Sequence, residues 1–245
     1  MQSTSQHVPQ RRVVSYAQRA GRMTSGQQRA WERNWQQLGR DVTELPPGPL
    51  DTAAWFGRAA PVVLEIGSGM GESTATMAAQ QPEVNYLAVE VYQPGLAQLL
   101  LRAEHAGITN LRLLRGDATV LLTGHTAPAS LHDVRIYFPD PWPKRRHHKR
   151  RLVCPEFVGW VASRLTPGGT LHLATDWEPY ALEMLAVCEG EPRLRNAVGG
   201  AHGLAAAGQD VARFVARPQW RPVSKFEQRA LDEGREVRDL LFFRV

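Results

Sequence analysis

From Pro61 onward the chain alternates short runs rich in Val, Ile, Leu and Tyr with segments of helical period, and no other feature limits the possible folds so strongly. A strand that leaves a sheet through a helix re-enters it parallel, so this alternation predicts an α/β domain with a mostly parallel sheet. Strands are expected at 62–66, 86–91, 111–114, 134–138 and 170–174, and helices at 72–80, 94–105, 155–165 and 178–188. The helix over 94–105 carries an apolar face of Leu96, Leu99, Leu100 and Ala103. The stretch Leu165-Thr-Pro-Gly-Gly169 reads as a helix stop and a turn into a strand. The terminal DLLFFRV reads as a last strand, expected antiparallel, and the glycine-rich stretch 199–208 as a loop of unassigned role. The first 45 residues lack a long apolar period and are rich in Gln, Arg and Ser. They are expected to form a flexible basic arm over 1–45, with a short helix near 27–38, ahead of one domain over 46–245.

Charge is concentrated rather than spread. Of a net +5, residues 1–40 carry +6 and the run Lys144 to Arg151 (KRRHHKRR) another +6, leaving the rest acidic at −7. Two basic elements on an acidic body suit a polyanion gripped at two places, and Trp142 and the prolines beside the run favour nucleic acid over a merely solvated face. The two cysteines, Cys154 and Cys188, are in no metal-ligand spacing, so neither a disulfide scaffold nor a metal is expected. There is no run of 18 apolar residues and no apolar stretch of signal-peptide type near the N-terminus, so a cytoplasmic protein without membrane contact is expected. The scarcity of acids before Glu32 also fits a mitochondrial presequence.

The first strand runs into Glu65-Ile-Gly-Ser-Gly-Met-Gly71, with Gly67 and Gly69 able to bring backbone close to a ligand. A dinucleotide loop would have its third glycine at 72, where Glu72 stands, and a carboxylate there repels a pyrophosphate. A cofactor without phosphates, S-adenosylmethionine, fits better, because its sulfonium and amino group favour nearby carboxylates. Glu65 ends the first strand, Glu90 the second, where it can take ribose hydroxyls, and Asp117-Ala118 follows the third, near an adenine amine. The bland alternative has Glu65 capping a strand and Asp117 capping a helix. The fourth strand ends in FPDPWP, where three alternating prolines stiffen a loop that presents Asp140 and Trp142 at the carboxyl edge of the sheet. That aspartate can accept from guanine's donor edge, and the tryptophan can stack on a base.

Taken together, RAGRMTSGQ, EIGSGMGES, VEVYQPGL, RGDA, FPDPWPKRRHHKRR, LTPGGTLHLATDWEPYA and SKFEQRALDEGREV resemble the bacterial tRNA (guanine-N7-)-methyltransferases over nearly the whole chain. The resemblance implies a Rossmann-like S-adenosylmethionine-dependent methyltransferase fold acting on a tRNA guanosine, at position 46 of the variable loop. It implies cofactor roles for Glu65, Glu90, Asp117 and Asp140, with Asp140 catalytic. It implies RNA contacts by Arg146, His147, His148, Lys149, Arg150 and Arg151, and substrate contacts by Lys144, Asp176, Ser224, Lys225, Phe226 and Glu227. Ser224 departs from the family's usual Thr but keeps a hydroxyl, and the match of RAGRMTS argues against a presequence. Methylation of another base, and an RNA-binding relative without chemistry, stand as alternatives; a nicotinamide oxidoreductase is disfavoured by Glu72.

Overall fold

A computed structural model describes residues 14–16, 21–198 and 213–245. Eight strands form one sheet in the order β1-β4-β3-β2-β5-β6-β8-β7. They are β1 (Gly39–Asp41), β2 (Val62–Ile66), β3 (Asn85–Glu90), β4 (Leu111–Arg115), β5 (Leu131–Tyr137), β6 (Leu165–Thr175), β7 (Leu194–Asn196) and β8 (Arg238–Arg244). β1 to β6 pair in parallel, and β8 runs antiparallel to both β6 and β7. The helices are α1 (Ser25–Leu38), α2 (Thr52–Phe56), α3 (Glu72–Gln80), α4 (Gln93–Ala106), α5 (Ala118–Gly124), α6 (Pro155–Arg164), α7 (Glu178–Glu189) and α8 (Lys225–Asp232).

The central strands are apolar on both faces because helices cover both. Val62, Leu64 and Ile66 of β2 join a cluster with α5, α6 and α7, whereas Val63 faces a second cluster with Ala30 of α1 and the buried stripes of α3 and α4. Ile66 lies opposite both Val89 and Ile136, so the carboxyl ends of β2, β3 and β5 share one edge. Strand order reverses between β2 and β5, and sheets of this kind open a crevice at such a point.

Residues 1–13 and 17–20 of the expected arm, and the glycine-rich stretch, lie outside the described residues. The rest of the arm joins the body. α1 opens with a capping box in which Gln27 N donates to Thr24 Oγ1 (3.3 Å) and Thr24 N to Gln27 Oε1 (2.8 Å), and Arg33 pairs with Glu104 of α4 at 2.8 Å. β1 then extends the sheet beside β4, and Arg115 pairs with Asp41. Trp31, Trp35 and Leu38 of α1 pack beside the buried Ala30 against the second cluster, and the polar contacts add to them.

Candidate active site

At the shared strand edge lies a cavity of about 680 Å3. Its lining brings together Glu65, Gly67, Gly69, Glu90, Asp117, Ala118, Asp140, Asp176, Ser224, Lys225 and Phe226, which the sequence scatters over 160 positions; Lys144, the 146–151 stretch and Glu227 are not part of it.

The glycine loop is tied to its surroundings by backbone. Gly67 N donates to Val89 O (2.9 Å) and Gly69 N to Glu90 Oε2 (2.9 Å). Gly71 caps α3 with φ of 70°, and a Cβ there would sit 2.5 Å from Leu99. A Cβ on Gly95 would lie 2.1 Å from Gly69 O, so α4 and the loop meet only because both positions lack side chains. Glu90 Oε1 accepts from Val91 N (2.7 Å) and Tyr92 N (2.9 Å). Three of its roughly four acceptor sites thus shape the loop, leaving about one for a ligand hydroxyl. Asp117 Oδ1 accepts from Thr119 N at 2.8 Å, so this residue caps α5 and lines the cavity at once.

Glu65 is buried, and burial raises its pKa to about 7, with the Arg135 charge acting in the opposite direction. Its Oε2, Ser68 Oγ and Thr74 Oγ1 are all buried with no hydrogen-bond partner among the described residues. Buried orphans of this kind are rare, and Glu65 and Ser68 line the cavity, where a bound ligand can complete their bonding; Thr74 is not part of the lining. Acceptors without a metal-ligating cluster suit the cationic end of S-adenosylmethionine; among the described residues no group of three His, Cys, Asp or Glu is placed to hold a metal ion.

Asp140 reaches the cavity from a strained loop. Phe138 (φ 50°) and Trp142 (φ 44°) on either side of it are both left-handed, a conformation that costs a bulky residue on the order of 1–3 kcal/mol and that clusters at functional sites. The basic run forms a 3-10 turn over Arg145–Arg150. Lys144, Arg145, Arg146 and Lys149 are exposed, and His147 and His148 half-buried. Burial and the surrounding cations lower the pKa of His147.

Two residues expected to touch RNA have other work. Arg151 is buried, donates to Pro141 O (2.9 Å), pairs with Glu183 and stacks over Tyr180. Arg150 stacks 3.7 Å over the Trp142 ring and donates to Val14 O (3.1 Å) and Tyr16 O (2.9 Å), while Trp142 Nε1 donates to Ser15 O (3.1 Å). Residues 14–16 are thereby held at the cavity, which Ser15 and Tyr16 line.

Glu227 also departs from its implied role. It is 3% exposed and gives both oxygens to Arg221, itself 1% exposed, whose other bonds go to both oxygens of Asp239 at 2.7 Å. Asp239 takes His172 Nε2 (2.7 Å), and His172 Nδ1 meets Tyr137 OH (2.9 Å) on the cavity wall. A carboxylate with this partner is not aimed at guanine; it anchors α8. Asp176 lines the cavity but pairs with Arg235. Ser224 caps α8, accepting from Glu227 N at 3.1 Å, which leaves Lys225 and Phe226 exposed on the cavity lip. Arg221, Arg229, Arg235 and the 14–16 segment are the site residues sequence reasoning missed. Of these, only Arg229, one helical turn beyond Lys225, left a trace in spacing.

The family model described as "Putative methyltransferase" matches residues 59–240. The tRNA (guanine-N(7)-)-methyltransferase of Streptomyces coelicolor is 48% identical over 236 residues, covering 96% of this chain and 82% of the relative. That of Halorhodospira halophila is 48% identical over 232 residues, covering 95% of each. Among solved structures, the 16S rRNA methyltransferase KamB aligns with a TM-score of 0.50 at 17% identity, over 77% of this chain and 89% of that one, which is a likeness of fold. With a methyltransferase family model over most of its length and relatives near half identical over at least 95% of it, the chain belongs to the tRNA (guanine-N(7)-)-methyltransferase family.

Proposed function

We propose that this chain transfers a methyl group from S-adenosyl-L-methionine to N7 of a guanosine in tRNA, in the variable loop at position 46. The observation that carries the reading is the convergence of Glu65, Glu90, Asp117 and Asp140 in one cavity, with the basic turn over 145–150 following the Asp140 loop in the chain. Bound there, the cofactor supplies an electrophilic methyl on a sulfonium. Glu65 and Ser68 offer acceptors to its cationic end, Glu90 a site for a ribose hydroxyl, and Asp117 a carboxylate near the adenine.

Guanine N7 is an unprotonated lone pair at neutral pH, so its attack requires no general base. The protein's task is placement, with nucleophile and methyl in line at roughly 3–3.5 Å in a water-poor pocket. Positive charge moves from sulfur to purine during transfer, and the Asp140 carboxylate on its stiff loop can stabilise that charge throughout. Exposed Lys144, Arg145, Arg146 and Lys149 supply the phosphate contacts, and a cytoplasmic site of action goes with such a substrate. Among the described residues no helix is long and apolar enough to cross a membrane.

The test is incubation of the full chain with unmodified tRNA and labelled S-adenosylmethionine, followed by mass-spectrometric mapping of the nucleoside. 7-Methylguanosine at one variable-loop position is expected; label on another base or atom would sink the reading.

A further inference from the structure

The carboxylates of the cavity come from the carboxyl ends of the strands and the segments that follow them, but its three cations, Lys225, Arg229 and Arg235, come from α8 and the turn that follows. Arg235 is neutralised by Asp176 and Glu233. Lys225 and Arg229 are exposed and have no ion pair or side-chain hydrogen bond among the described residues. We propose that Lys225 and Arg229 form a phosphodiester-binding wall on the cavity lip, gripping the RNA backbone next to the guanosine whose base enters.

Three observations support it. First, spacing of four puts both cations on one face of α8, and the rotation of that helix is fixed from its other face, where Ala230 is fully buried and Glu227 is locked to Arg221. The helix then needs no reorientation before these cations meet an anion, and only their side-chain rotamers have to order. Second, Arg150 and Arg151 are engaged with protein, so the basic turn offers fewer free guanidinium groups than its sequence suggests, and Arg229 is a free one on the cavity itself. Third, Phe226 lies between them in sequence, 55% exposed on the same lip, with an aromatic face open to a base or ribose. An entering base always brings its own phosphates. The resemblance had implied a substrate contact for Lys225; nothing had assigned Arg229. The inference rests on the proposed function.

The experiment uses the full chain, with Arg229→Gln, Arg229→Lys and the double variant Lys225→Ser/Arg229→Gln. Each is titrated with unmodified tRNA over a series of salt concentrations and, separately, with S-adenosylhomocysteine without RNA. Arg229→Gln should weaken tRNA binding about tenfold. Its slope of log affinity against log salt should drop by about one, and the double variant's by about two. Arg229→Lys should keep most of the slope, since it keeps the charge. Cofactor affinity should not change. An unchanged slope in the double variant would overturn the proposal. So would weakened cofactor binding with intact tRNA binding, because the anion would then be the cofactor's own carboxylate. If wild-type protein binds no tRNA, the functional reading fails and this inference with it, whereas wild-type binding beside insensitive variants sinks this inference alone.

Discussion

Glu227→Gln separates anchoring of α8 from direct contact with guanine. In the structure Glu227 and Arg221 form a buried bidentate pair, and Arg221 keeps a second bidentate pair with Asp239. Glutamine has nearly the same shape but loses the charge and turns an amine toward a guanidinium that can only donate. Removing one partner of a buried ion pair costs about 3–5 kcal/mol, and the lower figure suits a site where Asp239 still holds the arginine. For a chain of this length 1 kcal/mol moves Tm by about 2–4 °C, so a fall of roughly 6–12 °C is expected. Scanning calorimetry reads it, with urea unfolding as the second probe. Turnover measured well below the new Tm should fall mainly through KM for tRNA, because Lys225, Phe226 and Arg229 lose their fixed orientation. A Tm within about 1 °C of wild type, together with a collapse of kcat, would refute the anchoring argument and return Glu227 to the guanine. Arg221→Met should be worse than Glu227→Gln, since it takes the guanidinium from two buried carboxylates at once, leaving Asp239 with His172 and Glu227 with Arg217 at 3.6 Å.

Asp140→Asn should lower kcat by roughly 100- to 1000-fold with an unchanged Tm; near wild-type turnover at saturating substrates would remove it from the reaction. Glu65, with its pKa raised to about 7, holds a proton below that pH and is a carboxylate above it, so affinity for a cationic cofactor should rise as pH increases through 7. Between pH 6 and 8 the ionised fraction changes about tenfold, and a cofactor titration should follow it, whereas Glu65→Gln should flatten the profile; a flat wild-type profile would contradict the assignment. Without ligand the folded chain holds that proton longer than the unfolded one, so this group's contribution makes stability fall as pH rises from 4.5 to 7. Replacing exposed Lys144, Arg146 and Lys149 with Ser should reduce the salt slope of tRNA binding by about two, with cofactor affinity constant; an identical slope would make the turn a solubilising surface.

Period alone located most of the sheet. β2 and α3 fall on their expected residues, and β3, β4, α4, α6 and α7 lie within a residue or so, because strands buried on both faces and helices with a wide apolar stripe write their burial into hydrophobicity. β5 and β6 start earlier than expected, and α2, α5, α8, β1 and β7 left no such signal, being short or polar. α8 buries only Glu227 and Ala230, so no stripe could announce it. The cavity acids were legible for a related reason: glycines and prolines mark where strands end, and in a parallel sheet the carboxyl ends of adjacent strands are neighbours.

Which charges face a ligand and which face each other was decided only in three dimensions. Glu227 meets Arg221 six positions away, Arg221 meets Asp239 eighteen away and Arg151 meets Glu183 thirty-two away. Local sequence reports that a charge is present and whether its own helix turns it outward. The partner that neutralises it comes from another element, and at low dielectric that partner determines whether the group is structural or available to RNA.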